Sequence, residues 1–420
     1  MYQDLTRDQL ARLLPELMLS GHMIDRAAMA YLLGEFGPEG QKDVAIEEWM
    51  GASPVYTRRL REALQVTGDT VEDICKVLQF DVGAPPQFLD FRYFLDDPYH
   101  GGFRNEFCGA LVDAEPLGEE IVRLMCHDIQ DPTFDATATA TNPRARFRPV
   151  HRPPRVPADR TPHCHWLISI DPDNEPLPTP QEAVVVEGTE CASLPLAPID
   201  ADDASGLNDY TGPLFTDIRF DQWSRSALLR LADEVALQHH LLALAFERSV
   251  ERRADRDTAA EMSRKQFTGV AGLTAARLRD CLGLGDTAED VATVVNLHPA
   301  FKPLEYCGVR AAVEGDEVVV RVPLDGPAAR DLAWQSTLST AHLEPFEALG
   351  VGVDAHWCEV SGTTEHTAEG DVLVVRMARS ATPAERRDEV KLTYLSAGAG
   401  WVFEDRGVPG TVIPLNITPV

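Results

Sequence analysis

The sequence predicts an α+β protein made by tandem duplication of one unit, an N-terminal helical bundle followed by an antiparallel ββαββ sheet. Three observations lead there. Apolar residues recur at helical spacing near the start of the chain, short runs of strand-forming residues follow them, and the sequence repeats itself. Arg59 to Leu78 reads RLREALQVTGDTVEDICKVL and Arg277 to Val295 reads RLRDCLGLGDTAEDVATVV, identical at 10 of 19 aligned positions with one gap. The parallel continues in order, APPQFLDFRYFLDD against FKPLEYCGVRAAVEGD and DPTFDATATATNPRARFRPV against EPFEALGVGVDAHWCEV.

The first unit, residues 1–170, opens with helical segments at Arg7 to Leu19, Asp25 to Phe36, Gln41 to Met50, Val55 to Val66 and Thr70 to Phe80, punctuated by Pro, Gly, Asp and Ser. Strand-like runs follow at Phe91 to Leu95 and Glu106 to Val112. A helix runs from Leu117 to Ile129, where Pro132 should stop it, and two strands complete the unit at Arg144 to His151 and His163 to Ile170. Residues 171–214 are rich in Pro, Asp and Glu and read as a linker, with one strand at Ala183 to Glu187. The second unit, residues 215–420, ends in an extra segment, Val390 to Ile417, whose KLTYL and WVF suggest additional strands.

Composition narrows the function. The 420 residues carry a formal net charge of -29, which opposes binding to nucleic acid or to an anionic membrane. No basic leader precedes an apolar stretch, and no run of apolar residues reaches membrane-spanning length, so a cytoplasmic location is expected. Eight cysteines in a chain this long are too sparse for a disulfide scaffold and are expected as thiols.

Ligand-capable residues gather in the first unit. Cys108 lies on its second strand, Cys126 and His127 near the end of its helix, His151 on the third strand, and His163, Cys164 and His165 open the fourth. The second unit has Trp334, Gln335 and Ser336 on the corresponding helix and Glu369, Gly370, Asp371 and Val372 at the strand opening. Residues needed only for packing should survive in both copies, so this one-sided loss points to function. Strand alternation would put His163 and His165 on one face and Cys164 on the other, with Cys126 or His127 turned toward the pair. Three or four nitrogen and sulfur ligands suit one transition metal ion, Zn before Fe or Cu. Cys108 and His151, taken singly, read as core residues. So do His239 and His240 within the apolar helix Ala236 to Phe246, while His22, Glu47, Glu48 and Trp49 read as ordinary helix residues.

LMCHD (Leu124 to Asp128) on a helix and HCHW (His163 to Trp166) at a strand start together resemble the C-terminal part of the L-2-amino-thiazoline-4-carboxylate hydrolase-like family and, more distantly, 4-vinyl reductase domains. The resemblance spans Leu124 to Trp166 only. It rests on Cys126, on Cys164 followed by Trp166, and on Asp128. Here two histidines flank the strand Cys, and VPADRTP replaces the expected glycine turn. The resemblance implies fold and small-molecule binding more than any one reaction.

Six arginines between Arg144 and Arg160 add an anionic substrate to the expectation, because guanidinium forks hold carboxylates. The favoured reading is a metal-dependent enzyme, a hydrolase or lyase, acting on a small carboxylated nitrogen- or sulfur-containing molecule. Cys126, His163 and His165 would ligate the metal with Cys164 or Cys108, Asp128 or His127 would move protons, and Arg148 or Arg152 would hold the carboxylate. The alternatives are a non-catalytic small-molecule or metal-binding sensor or accessory protein, and a mononuclear Fe or Cu redox enzyme. Two copies in one chain would form an internal pseudo-dimer, with a homodimer as the further option.

Overall fold

The computed structural model describes residues 1–368 and 370–414. Its first half runs α1 (Arg7–His22), α2 (Ile24–Ala63), α3 (Val71–Leu78), β1 (Leu89–Asp97), β2 (His100–Cys108), α4 (Gly109–Ala114), α5 (Glu119–Arg123), a π-helical turn (Leu124–Ile129), α6 (Gln130–Thr139), β3 (Ala145–His151) and β4 (Cys164–Ile170). Two short helices follow, α7 (Gln181–Glu187) and α8 (Glu190–Ser193). The second half runs α9 (Arg225–Glu251), α10 (Arg256–Leu282), α11 (Ala288–Leu297), α12 (Leu304–Cys307), β5 (Arg310–Glu314), β6 (Glu317–Pro323), α13 (Pro327–Arg330), α14 (Glu344–Val353), β7 (Glu359–Thr367), β8 (Gly370–Ala378) and α15 (Asp388–Thr393). Mixed helix and antiparallel sheet make this an α+β fold.

The strands form two four-stranded antiparallel sheets, ordered β1-β2-β4-β3 and β5-β6-β8-β7. Connectivity is the same in both: a hairpin, a helical crossover, and a second hairpin whose later strand pairs with the first hairpin. Alternation turns one face of each sheet to the core, and on the second sheet Val319 and Val374 are buried on the other face as well. Phe103, Phe147, Trp166 and Ile168 bury the core face of the first, and Val318, Val320, Val322, Leu373, Val375 and Met377 that of the second. The first sheet's other face is open, with Arg104, Arg148 and Leu167 exposed.

At the centre α1 and α2 pack against α9 and α10, and the contacts come in matched pairs. The interval that separates Arg59 from Arg277 also separates Glu16 from Glu234 and Asp113 from Asp331. Arg59 donates to both carboxylate oxygens of Glu234 (2.8 and 2.7 Å) and to the carbonyls of Ala192 and Leu194 (both 2.8 Å). Arg277 donates to Glu16 (2.7 Å) and to the carbonyls of Gly398, Ala399 and Trp401 (2.9, 3.2 and 2.9 Å). Asp331 accepts the N–H groups of Glu190 and Cys191 (2.9 and 2.8 Å), and Asp113 accepts that of Ala397 (2.7 Å) and the hydroxyl of Ser396. A Cβ on Gly51 would lie 3.0 Å from the Cβ of Ala245, and one on Gly269 3.0 Å from that of Ala27, so the helices approach closely at both places. His22 meets Phe88 edge-on (5.6 Å, 67°) as His240 meets Tyr306 (5.1 Å, 68°). Each of these contacts thus has a counterpart with the roles exchanged, the pattern of an isologous interface.

The repeated TGDT and GDT segments serve the same local purpose. Thr70 and Thr287 each cap a helix in a box with Asp73 and Asp290. Thr70→Ala and Thr287→Ala should each cost about 1 kcal/mol, and urea unfolding midpoints should fall by similar amounts.

Several sequence expectations need correction. The first segment of α2 ends as expected after Phe36, where Gly37 (φ 67°) breaks the helix ahead of Pro38, but the second and third run on as one helix through Pro54, so α2 is two helical pieces rather than three. The crossover helix does not stop before Pro132 but continues to Thr139. The π-helical turn leaves wider spacing on its carbonyl side, where a proline's missing N–H and its ring are better tolerated. The second strand ends at Cys108, and Gly109 to Ala114 is helical. Ala183 to Glu187 is not a strand but part of α7, which buries Ala183 and Val186 at helical spacing. Val390 to Ile417 supplies no long strand: α15 covers its start, and only isolated pairing between Phe215 and Thr411 occurs among the described residues. Residues 415–417 lie outside the described residues. No described helix is long and apolar enough to cross a membrane.

Candidate functional site

The end of the first sheet gathers most of the Cys and His residues singled out above. Cys108 closes β2 and Cys164 opens β4, while Cys126 enters from the π-helical turn of the crossover, all three buried. The thiols are close enough that Cys108 and Cys164 both act electrostatically on Cys126, after burial the main cause that holds its thiol protonated. Burial likewise raises the pKa of Cys164 and of Cys108. The Cys108 Sγ accepts the Leu111 N–H (3.4 Å), which caps α4. No imidazole hydrogen-bonds any of these three thiols among the described residues.

His163 stands just ahead of β4, with its N–H on the Asn105 carbonyl (2.8 Å). Its Nδ1 accepts the Cys108 backbone N–H (3.1 Å), which places the ring proton on Nε2. Burial, then the Arg155 guanidinium, lowers its pKa. The ring lies against Phe107 (5.6 Å), and Phe107 stacks on Trp401 (5.2 Å, 21°), so the far end of the chain covers this corner.

The connection between β3 and β4, residues 152–163, lies over the thiols and is pinned at several points. His127 donates Nε2–H to the Pro153 carbonyl (2.7 Å). Arg155 forks onto Glu115 (2.9 and 2.8 Å). Arg152 pairs with Asp131, reaches the Cys126 carbonyl (3.4 Å) and lies over the Trp166 ring (5.7 Å). In the second half β7 turns directly into β8, where Thr367 donates to the Gly370 carbonyl (2.8 Å).

The metal set drawn from the sequence does not come together. His165 is not beside His163. Because β4 begins at Cys164, the inward positions are Cys164, Trp166 and Ile168, and His165 points out of the open face toward Phe94 (5.6 Å) and His151 (6.1 Å). Among the described residues no three of His, Cys, Asp and Glu are placed to hold a metal ion. Asp128 is exposed and acts electrostatically on Lys42, away from the thiols. Arg148 is 59 % exposed and pairs with Asp135 (3.0 Å), so of the two arginines only Arg152 adjoins the thiol region.

On the open face a row crosses three strands. Arg104 of β2 and His151 of β3 are both register partners of His165. A bulge between Pro149 and His151 makes Val150 the extra residue and turns His151 to this face. Burial lowers the pKa of His165, helped by Arg104, and that of His151, helped by Arg160 and His165. The sequence reading missed Arg104. Its signal was the alternation in His100 to Glu106, which sets Arg104 opposite in sense to buried Phe103 and Asn105.

Glu48, expected as an ordinary helix residue, is buried and adjacent to buried Asp25. Burial raises both carboxyl pKa values, and the Trp49 indole donates to Asp25 (2.8 Å). His239 and His240 are core residues, donating to the carbonyls of Leu17 (2.8 Å) and Lys302 (2.9 Å).

No known protein family matches the chain, and neither a curated protein nor a solved structure is significantly similar to it.

Proposed function

We propose that this chain is an internally duplicated pseudo-dimer whose first half binds a small anionic molecule and whose second half is its packing partner. The observation that carries this reading is an asymmetry within otherwise matched halves. Among the described residues only the first has a π-helical turn in its crossover and a long, pinned connection between its last two strands, and both converge on the sheet end that holds Cys108, Cys126, Cys164 and His163. Irregularities of this kind cluster at functional sites. Binding without turnover is favoured over a hydrolase, a lyase or a mononuclear Fe or Cu redox enzyme. The thiols are protonated and lack a base, and the histidines meant to share a metal face opposite ways. The local likeness of Leu124 to Trp166 to thiazoline-carboxylate hydrolase-like proteins agrees with small-molecule binding.

Screening small carboxylates and phosphates by thermal unfolding tests it. Saturating ligand at a hundred times Kd should stabilise the protein by about 2.7 kcal/mol. A chain that no small anion stabilises would reject the reading. The electrostatic contact among Cys108, Cys126 and Cys164 leaves one second reading to test, a soft metal that would have to draw these thiols together from positions that do not by themselves form a metal site. Elemental analysis separates the two: one equivalent of Zn or Cu that disappears in Cys126→Ser and Cys164→Ser would establish the metal site, and metal-free protein that still binds anions would reject it.

A further inference from the structure

We infer that the open face of the first sheet carries an oxyanion-binding site formed by Arg104, His165 and His151 across β2, β4 and β3, completed by Arg160 from the β3–β4 connection. The inference rests on the binding reading above and names its ligand class and place. The ligand presents a phosphate or carboxylate group to this row.

Charge is the first support. The chain has a net charge of -29 and 67 Asp and Glu residues. Yet among the described residues no carboxylate lies within ion-pair distance of Arg104, Arg160, His151 or His165. The second sheet's corresponding face shows the ordinary outcome: Arg321 pairs with Glu314 (3.0 Å), and Arg376 with Glu317 (3.0 Å) and Glu314 (3.6 Å). The uncompensated guanidinium groups of Arg104 and Arg160 leave a local positive field in so acidic a protein, and the imidazoles beside them add neutral N–H donors that gain charge when an anion binds.

Geometry is the second. The bulge at Val150 brings His151 beside His165, with ring centroids 6.1 Å apart. Without that extra residue Val150 would occupy the position opposite His165. Arg104 lies over the Phe94 ring (5.5 Å), which in turn meets His165 edge-on (5.6 Å), so one aromatic ring holds both the guanidinium and the imidazole. The His165 Nε2 is buried and has no partner among the described residues, a donor or acceptor awaiting one. The pinning of the connection by Arg155 to Glu115 and His127 to Pro153 fixes the segment that carries Arg160. Exposed Leu167 and Val150 border the row and offer apolar surface to the body of a ligand whose charged group sits on the row.

Calorimetric titration of the full chain with inorganic phosphate and, separately, with malonate at low ionic strength tests the site. We expect saturable binding of at least one of them, one per chain, weakened tenfold or more in Arg104→Gln and in His165→Gln and unchanged in Arg321→Gln on the second sheet. Binding of phosphate alone or malonate alone assigns the ligand's charged group. Binding that survives Arg104→Gln and His165→Gln but is lost in Arg152→Gln would overturn this site and leave the binding reading standing. Absence of saturable binding by either anion would overturn the site, while stabilisation by some other small molecule would still uphold that reading.

Discussion

Replacing Arg59 by Ala should lower the unfolding free energy by about 3–5 kcal/mol, the cost of breaking a buried ion pair from one side. Glu234 is only 3 % exposed and would lose both of its guanidinium bonds, and the carbonyls of Ala192 and Leu194 would lose their donor. Arg277→Ala removes the matching set, leaving Glu16 and the carbonyls of Gly398, Ala399 and Trp401 without theirs. Its effect should fall near the lower end of the same range, because Glu16 is 16 % exposed. Arg148→Ala serves as control. Its own guanidinium is 59 % exposed and Asp135 keeps the Phe147 N–H as a partner, so the change should stay within about 1 kcal/mol. Urea unfolding of the three variants measures this, and a large loss for Arg59→Ala beside a negligible one for Arg277→Ala would contradict the energetic equivalence of the halves.

His298→Asn should stabilise the protein in acid relative to the unsubstituted chain. His298 is buried, and its Nδ1 accepts the Ala300 N–H (3.2 Å), a bond that protonation would destroy. Burial pushes its pKa down to about 3, as it does for His239, and that of His240 down to about 4. A depressed folded pKa means the neutral ring's contribution is fully present above the unfolded value of about 6.5 and is lost as pH falls toward the folded one. Each pH unit below about 6.5 therefore costs about 1.4 kcal/mol per such imidazole. Asn keeps an acceptor for the Ala300 N–H and does not titrate, so its advantage should widen by that amount per unit down to about pH 3. Comparison of variant with parent is essential because buried carboxyls titrate in the opposite sense. Burial raises Asp81 to about 6 and Asp233 and Glu247 to about 7, so their contribution is present in acid and lost as pH rises through those values. Equal stability of variant and parent at pH 7 and pH 5 would contradict the buried neutral ring.

The repeat was legible because its strongest positions do work that resists substitution. Arg59 and Arg277 each satisfy a carboxylate and backbone carbonyls at once, and Thr70 and Thr287 cap helices with a matching Asp. Strand-forming runs placed β1, β3 and β4 to within a few residues, whereas β2 lies earlier than expected and the crossover helix runs on past Pro132 to Thr139. Such runs could not anticipate that Ala183 to Glu187 would be helical, since a run of valines carries strand preference until a buried face at helical spacing overrides it. The gathering of Cys108, Cys126, Cys164 and His163 was readable from the order of elements. That His163 and His165 part company was not, because His163 lies just ahead of β4, where strand alternation no longer ties its side chain to the face that His165 occupies. Arg104 went unnoticed for a related reason: its meaning depends on the partners that register gives it, His165 and through it His151.

The central claim is that small-anion chemistry belongs to the first half alone, on the row through His165. Side-chain NMR of the imidazoles during phosphate or malonate titration reads this directly, since the histidines are distributed over both halves. His151 and His165 should shift together along one saturation curve, with pKa values rising as the bound anion favours their charged forms, while His356 and His366 of the second half stay unmoved. Saturable shifts confined to His356 or His366, or anion binding that leaves His151 and His165 unmoved, would contradict it.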